Sequence, residues 1–243
     1  MGWVKVVGIG PGDLNEMTIK AYNCLRECEV VVGYTTYINL IKSIILNKKI
    51  IASGMRDEVK RCRQALNLAS QGKKVCIISS GDAGIYGMAG LIYEIAHKEN
   101  LNIQIEVITG VTALSSAAAI LGAPIMQDFA AISLSDHLIP WNQIEKRLTL
   151  SAQADLVIVI YNPKSSERPD NLNKAVNILL KYKSPDTPVG IVKNIKRSNE
   201  ESIITTLEAV INYEIDMRTT LIVGNKSTYV KYGKMVTLRG YAL

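Results

Sequence analysis

The stretch Trp3-Val-Lys-Val-Val-Gly-Ile-Gly-Pro-Gly-Asp13 joins two patterns. Its first half is a short apolar run rich in β-branched residues and ending on glycine, which reads as a parallel strand buried on both faces. Its second half is a glycine-rich turn, and α/β sheets place ligands at the carboxyl ends of such strands. The alternation continues downstream. A helical stretch from Met17 to Glu27 precedes the apolar Val30-Val-Val, and a helix over Tyr37–Leu46 precedes a strand over Lys49–Ala52. Asp57 to Gln71 is amphipathic, with Val59, Cys62, Leu66 and Ala69 on one side. A strand at Val75–Ile78, a helix over Tyr86–Lys98, a strand at Ile103–Ile108 and a small-residue helix over Thr112–Leu121 complete the first half. This β-α rhythm predicts a parallel sheet with helices on its faces.

The rhythm pauses at Gly122-Ala-Pro-Ile-Met-Gln-Asp128, the expected linker between an N-terminal α/β domain (1–121) and a C-terminal one (129–243). The second half restarts with Phe129–Leu134 as strand, Trp141–Ala152 as helix and Leu156–Ile160 as strand. A helix over Asn171–Lys183 follows, then strands at Pro188–Val192 and Ser202–Thr205, a helix over Leu207–Tyr213, and strands at Thr219–Val223 and Met235–Leu238. The last segments are close enough in sequence to require antiparallel pairing, so the second sheet is expected to be mixed.

Composition excludes several classes. With 243 residues, 48% hydrophobic and 21% charged, the chain is neither disordered nor collagen-like. Its longest apolar run, Val111 to Met126, is interrupted by Thr112, Ser115, Ser116 and Pro124 and is short for a spanning helix. The N-terminus shows no basic segment followed by an apolar one, so a cytoplasmic protein is expected, with no membrane partner. The four cysteines form no Cys-x-x-Cys pair, and two histidines cannot build a His-rich zinc site; no metal is expected. A net charge of +6 admits nucleic acid, an acidic surface or an acidic small molecule, or merely a solvated basic face.

Three glycine-rich segments follow predicted strands. Gly8-Ile-Gly-Pro-Gly-Asp13 is not a dinucleotide fingerprint, because Asp13 replaces the last glycine and Pro11 lacks the N–H that phosphate cradles use. It is a tight turn, either structural or shaped for close approach to a ligand. In Ser79-Ser-Gly-Asp-Ala-Gly-Ile-Tyr-Gly87, Asp82 either caps the next helix or holds a ligand hydroxyl. In Thr109-Gly-Val-Thr-Ala113 a turn glycine leads into a helix of small side chains, suited to ligand approach or to close packing. Three such turns at one sheet edge inform more than any one of them.

Together these motifs resemble the tetrapyrrole methyltransferase family, and the likeness extends through Leu156–Pro163, Val189–Asn194 and Thr219–Asn225. The resemblance implies two α/β domains with S-adenosylmethionine in a cleft between them, usually in a homodimer. Leu134-Ser-Asp-His-Leu-Ile-Pro-Trp141 followed by Tyr161-Asn-Pro-Lys-Ser165 resembles the branch that methylates C17 of precorrin-3B, or of cobalt-factor III, with ring contraction. It implies cofactor contacts at Pro11, Ser80, Gly81, Asp82, Ile85, Thr112, Ala113, Asn162 and Asn194. Asp136, His137 and Tyr86 are the candidates for proton transfer. Ser135, Lys164, Arg168, Lys193 and Arg197 are the candidates for a polycarboxylate tetrapyrrole, which would account for the basic charge without nucleic acid. Methylation of another corrin position, a diphthine-synthase-like protein methyltransferase and a non-catalytic tetrapyrrole-binding module are the competing readings.

Overall fold

The computed structural model describes residues 2–242. The chain divides into two compact units, the first ending at Ala113 and the second starting at Leu114.

The first unit contains β1 (Trp3–Gly8), α1 (Ile19–Glu27), β2 (Val30–Tyr34), α2 (Thr35–Leu40), β3 (Lys49–Ser53), α3 (Glu58–Ser70), β4 (Lys74–Ser79), α4 (Ala89–Lys98) and β5 (Gln104–Ile108). Its sheet is parallel throughout, in the order β3-β2-β4-β1-β5. Val4, Val6, Val7, Val31, Val32 and Val75–Ile78 are buried, as strands covered on both faces must be. Cys62, Ala65, Leu66 and Ala69 of α3 pack on one face with Ala89, Ile92, Ile95 and Ala96 of α4. Ala21, Cys24 and Leu25 of α1 and Ile38 of α2 cover the other.

Two helices of this unit differ from expectation. The segment expected over 37–46 is split into α2 and a 3-10 turn at Lys42–Ile44, because Ile41 between them leaves the helical region at φ −116° and ψ 12°. The helix expected from Tyr86 begins at Ala89, because Tyr86 lies at φ 53° and Ala89 N–H donates to Ala83 O at 3.0 Å, closing a turn instead.

The second unit contains α5 (Ala113–Leu121, its first residue in the first unit), β6 (Gly122–Ala123), β7 (Phe129–Ser133), α6 (Trp141–Gln153), β8 (Val157–Tyr161), α7 (Asn171–Leu179), β9 (Pro188–Lys193), β10 (Glu201–Thr206), β11 (Thr219–Val223), β12 (Thr228–Lys231) and β13 (Lys234–Thr237). The sheet order is β10-β9-β11-β8-β7, with β7 and β8 parallel and the other neighbours antiparallel. Because β11 opposes both β8 and β9, the strands β7, β8 and β9 run the same way and share a carboxyl edge. Ile144, Leu148 and Ala152 of α6 and Leu172, Ala175 and Val176 of α7 cover one face. A 3-10 turn at Ala209–Asn212 replaces the helix expected over 207–213.

Residues 122–128, expected as a linker, are built into this unit. β6 pairs in parallel with Met235 and Val236 of β13, and Thr237 Oγ1 donates to Pro124 O at 2.6 Å. Asn225 Nδ2 donates to Gln127 Oε1 at 2.9 Å. α5 belongs here too, since a Cβ at Gly190 of β9 would lie 2.8 Å from Leu121 Cδ2. The division therefore precedes α5. Among the described residues, no helix is long and apolar enough to cross a membrane.

Candidate cofactor and substrate site

In the first unit the turns after β1, β4 and β5 close on one another. Gly10 N–H donates to Gly81 O at 3.1 Å and Gly81 N–H to Gly10 O at 2.7 Å. Gly10 and Gly81 lie at φ +79° and +67°, a region glycine enters without steric cost. A Cβ on Gly8 would lie 2.7 Å from Gly110 N and 2.8 Å from Gly81 O, both backbone atoms. Gly8, Gly10, Gly81 and Gly110 thus let three chain segments touch backbone to backbone.

Asp82 ties the arrangement. Its Oδ1 accepts from Gly84 N–H at 2.7 Å and its Oδ2 from Gly110 N–H at 2.9 Å. It does not cap α4, whose N-terminus has no side-chain cap, so the capping reading gives way to one in which the carboxylate locks two loops. Pro11 is buried beside this crossing, Ser80, Thr112 and Ala113 are half-buried, and Ile85 and Tyr86 are exposed.

In the second unit the segments after β7 and β8 are laced together. Ser133 Oγ accepts from Asn162 Nδ2 at 2.9 Å and from Ser135 N–H at 3.2 Å. Buried Asn171 donates through Nδ2 to Leu134 O at 2.9 Å. Asn162 lies at φ 50°, tolerable for asparagine, which turns the chain sharply off β8. Tyr161 OH accepts from Leu114 N–H at 3.0 Å, satisfying a donor at the start of α5.

The same edge gathers most of the predicted substrate and proton-transfer residues. Asp136 and His137 are exposed, and Asp136 Oδ1 lies 3.8 Å from Arg168 Nε. Ser165 and Arg168 exchange backbone hydrogen bonds, while Ser165 Oγ and Arg168 Nε are buried without a hydrogen-bond partner. Lys164 is exposed on the same loop. After β9, buried Asn194 at φ 52° donates through Nδ2 to Asn199 O at 3.0 Å, and Arg197 N–H donates to Asn194 O at 2.9 Å. Lys193 Nζ is 3.1 Å from Glu214 Oε1 and 3.8 Å from Asp216 Oδ2; the Glu214 hydrogen bond holds its pKa above the ordinary lysine value. Its charge is engaged within the protein. Ser133 and Asn171 lie outside the motifs that mark the site in the sequence. A serine ending a strand and an asparagine opening a helix are the only signals they leave.

A 460 Å³ concavity lined by Gln127, Asp128, Asp155, Leu156 and Arg239 lies at the amino ends of β7 and β8. Beside it, fully buried Lys183 Nζ donates to Leu156 O at 2.9 Å, Gly224 O at 3.0 Å and Asp155 Oδ1 at 3.3 Å. Burial pulls its pKa below the ordinary value, against the pull of Asp155. All four cysteines are free and buried, and no cluster of metal-ligating side chains occurs among the described residues.

The sequence pattern of the tetrapyrrole (corrin/porphyrin) methylases matches residues 4–211. The chain belongs to this family. The methylase is 48% identical over 240 residues to a Salmonella typhimurium protein named probable cobalt-factor III C(17)-methyltransferase, spanning 99% of this chain and 100% of that one. It is also 48% identical to the cobalt-factor III methyltransferase of Priestia megaterium, but covers only 45% of that longer protein. Among solved structures, the methyltransferase CobJ superposes with a TM-score of 0.93 at 33% identity, covering 98% of this chain and 100% of CobJ. A uroporphyrin-III C-methyltransferase from Thermus thermophilus, complexed with S-adenyl homocysteine, shares the fold at a TM-score of 0.71 and 24% identity; the match covers 92% of this chain and 97% of that one.

Proposed function

We propose that this methylase transfers a methyl group from S-adenosylmethionine to C17 of cobalt-factor III or precorrin-3B in cobalamin biosynthesis, acting as a homodimer in the cytoplasm. The likeness to the Salmonella protein over the full length of both chains carries the reading. The cofactor assignment rests on the crossing of the turns at Gly8, Gly81 and Gly110, where a Cβ on Gly8 or Gly110 would strike the backbone of its neighbours. Pro11, Ser80, Gly81, Asp82, Ile85, Thr112 and Ala113 would hold the cofactor, and the family likeness adds Asn162 and Asn194 to these contacts. S-adenosylmethionine bound there would supply an electrophilic sulfonium methyl group for the ring carbon, with S-adenosylhomocysteine as the product.

A carbon nucleophile of this kind needs positioning rather than covalent help, and orientation alone can supply roughly 7–11 kcal/mol of a barrier. The lacing of Ser133, Asn162 and Asn171 holds the edge from which Asp136 and His137 project. These two are the groups that would move protons during ring contraction. Arg168, with Lys164, Ser135 and Arg197, would meet the acetate and propionate rim of the macrocycle, and Lys193 would do so once released from Glu214.

Incubation with methyl-labelled S-adenosylmethionine and either cobalt-factor III or precorrin-3B, followed by NMR and mass analysis, tests the reading. The expected product carries the label at C17. Transfer to another carbon, or no transfer from either substrate, overturns it. Asp136→Asn is expected to retain methylation while losing contraction.

A further inference from the structure

Arg61 in the first turn of α3 is 4% exposed. A helical side chain leans toward its own N-terminus, and this one reaches the turn that follows β3. Its Nε donates to Ser53 Oγ at 2.9 Å and its Nη2 to Gly54 O at 2.7 Å. Nη1 meets only the thioether of Met88, with Sδ at 3.9 Å, and the guanidinium lies 6.0 Å from the Tyr34 ring. No carboxylate among the described residues is within ion-pairing distance of it; neighbouring Glu58 instead accepts from Arg56 N–H at 3.3 Å.

This is a costly arrangement for a protein alone. A guanidinium stays charged at any physiological pH, and a buried charge without a counter-ion is strongly unfavourable. The start of a helix carries positive partial charge, which adds to the cost of a cation there. Thioether sulfur is a weak acceptor, so the fork faces the poorest partner its surroundings offer.

The location gives this meaning. Tyr34 ends β2, Ser53 ends β3 and Met88 closes the loop after β4. All three lie on the carboxyl edge that carries the glycine crossing. We propose that Arg61 is the anchor for a carboxylate of the ligand, which replaces Met88 Sδ and Gly54 O as partner of the fork. Both the tetrapyrrole rim and the amino-acid end of S-adenosylmethionine carry such a group. With β3 two strands removed from β4, roughly 10 Å at the usual strand spacing, the anchor lies outside the glycine crossing and suits the periphery of a macrocycle. The inference rests on the tetrapyrrole reading above.

Calorimetric titration of wild type, Arg61→Met and Arg61→Lys with cobalt-factor III and with S-adenosylhomocysteine tests it. Loss of a charge-assisted pair is expected to weaken tetrapyrrole binding by Arg61→Met roughly 10- to 100-fold. Cofactor-product binding stays within about twofold, and the thermal stability of the ligand-free variant is unchanged or raised because the buried cation is gone. Arg61→Lys keeps a charge but not the two-pronged geometry, so it weakens the tetrapyrrole by at least about fivefold; this variant carries the test if Arg61→Met does not fold. Equal loss of both ligands with lower stability makes Arg61 a structural strut and overturns the inference, as does unchanged tetrapyrrole affinity. Selective loss of S-adenosylhomocysteine assigns the anchor to the cofactor and overturns it likewise. Failure of the wild-type protein to bind either cobalt-factor III or precorrin-3B overturns the functional reading itself.

Discussion

Replacing Gly8 by alanine tests whether the glycine crossing is as tight as its geometry says. The added methyl would lie 2.7 Å from Gly110 N and 2.8 Å from Gly81 O, where ordinary contact begins at 3.4 Å. The turns after β1, β4 and β5 must therefore part by about 0.7 Å in a region packed like a crystal. Overpacking of this kind costs roughly 1–3 kcal/mol, which for a chain of this size lowers the melting temperature by about 2–12 °C. The displaced turns are those assigned to the cofactor, so S-adenosylhomocysteine affinity falls on the order of tenfold or more. Gly90→Ala is the control: it lies on the solvent-facing side of α4 with nothing within 4 Å of the new methyl. There alanine is favoured by roughly 0.5–1 kcal/mol, and stability rises. Differential scanning fluorimetry and calorimetric titration read both variants. A Gly8→Ala protein that melts within a degree of wild type and binds S-adenosylhomocysteine within twofold would refute the reasoning.

Asp82→Asn keeps one acceptor but sets an amide N–H₂ against Gly84 N–H or Gly110 N–H. The loss, discounted for half-exposure, is about 1–2 kcal/mol and appears as weaker S-adenosylhomocysteine binding by titration calorimetry. Lys183 has a folded pKa below its unfolded value of 10.5, so between those two values the unfolded chain binds more protons and wild-type stability rises with pH. Urea denaturation across that window should show this rise in wild type and not in Lys183→Met, which also loses roughly 2–4 kcal/mol by leaving Leu156 O and Gly224 O without a donor. Burial pushes the Cys62 thiol up to about 12, so mass spectrometry after iodoacetamide treatment should find it unmodified until the protein is unfolded.

The parallel half of the fold was legible because burial on both faces leaves a direct trace. Val30-Val-Val and Val75–Ile78 are continuous apolar runs, and no other regular element suits them at that length. The second unit reads less clearly at its ends. β12 escapes periodicity because three of its four residues face solvent; the local cue is the Tyr232-Gly233 turn, both residues at positive φ, which suits a hairpin. β6 is two residues long and exists only because β13, more than a hundred positions later, runs beside it. Taken locally, Gly122-Ala-Pro therefore reads as a linker. The same limit applies to the site. Gly10, Gly81 and Asp82 announce themselves by residue type, whereas Arg61 looks like any amphipathic-helix arginine until its lack of an acidic partner is seen in three dimensions.

The strand order β3-β2-β4-β1-β5 also bears on how the chain is made. β4 is the sole neighbour shared by β1 and β2, yet it is synthesised after β1, β2 and β3. A nascent chain that stops short of Lys74 therefore holds Val4–Val7 and Val30–Val32 with their valine-rich edges unpaired on the side where β4 belongs, surfaces prone to wrong pairing. Only when Lys74–Ser79 emerges can the halves of the sheet join, and only at Ile108 are all five strands present. Long-range parallel pairing of this kind is slow, so the interval before Lys74–Ser79 has emerged is the one in which a chaperone has most to protect.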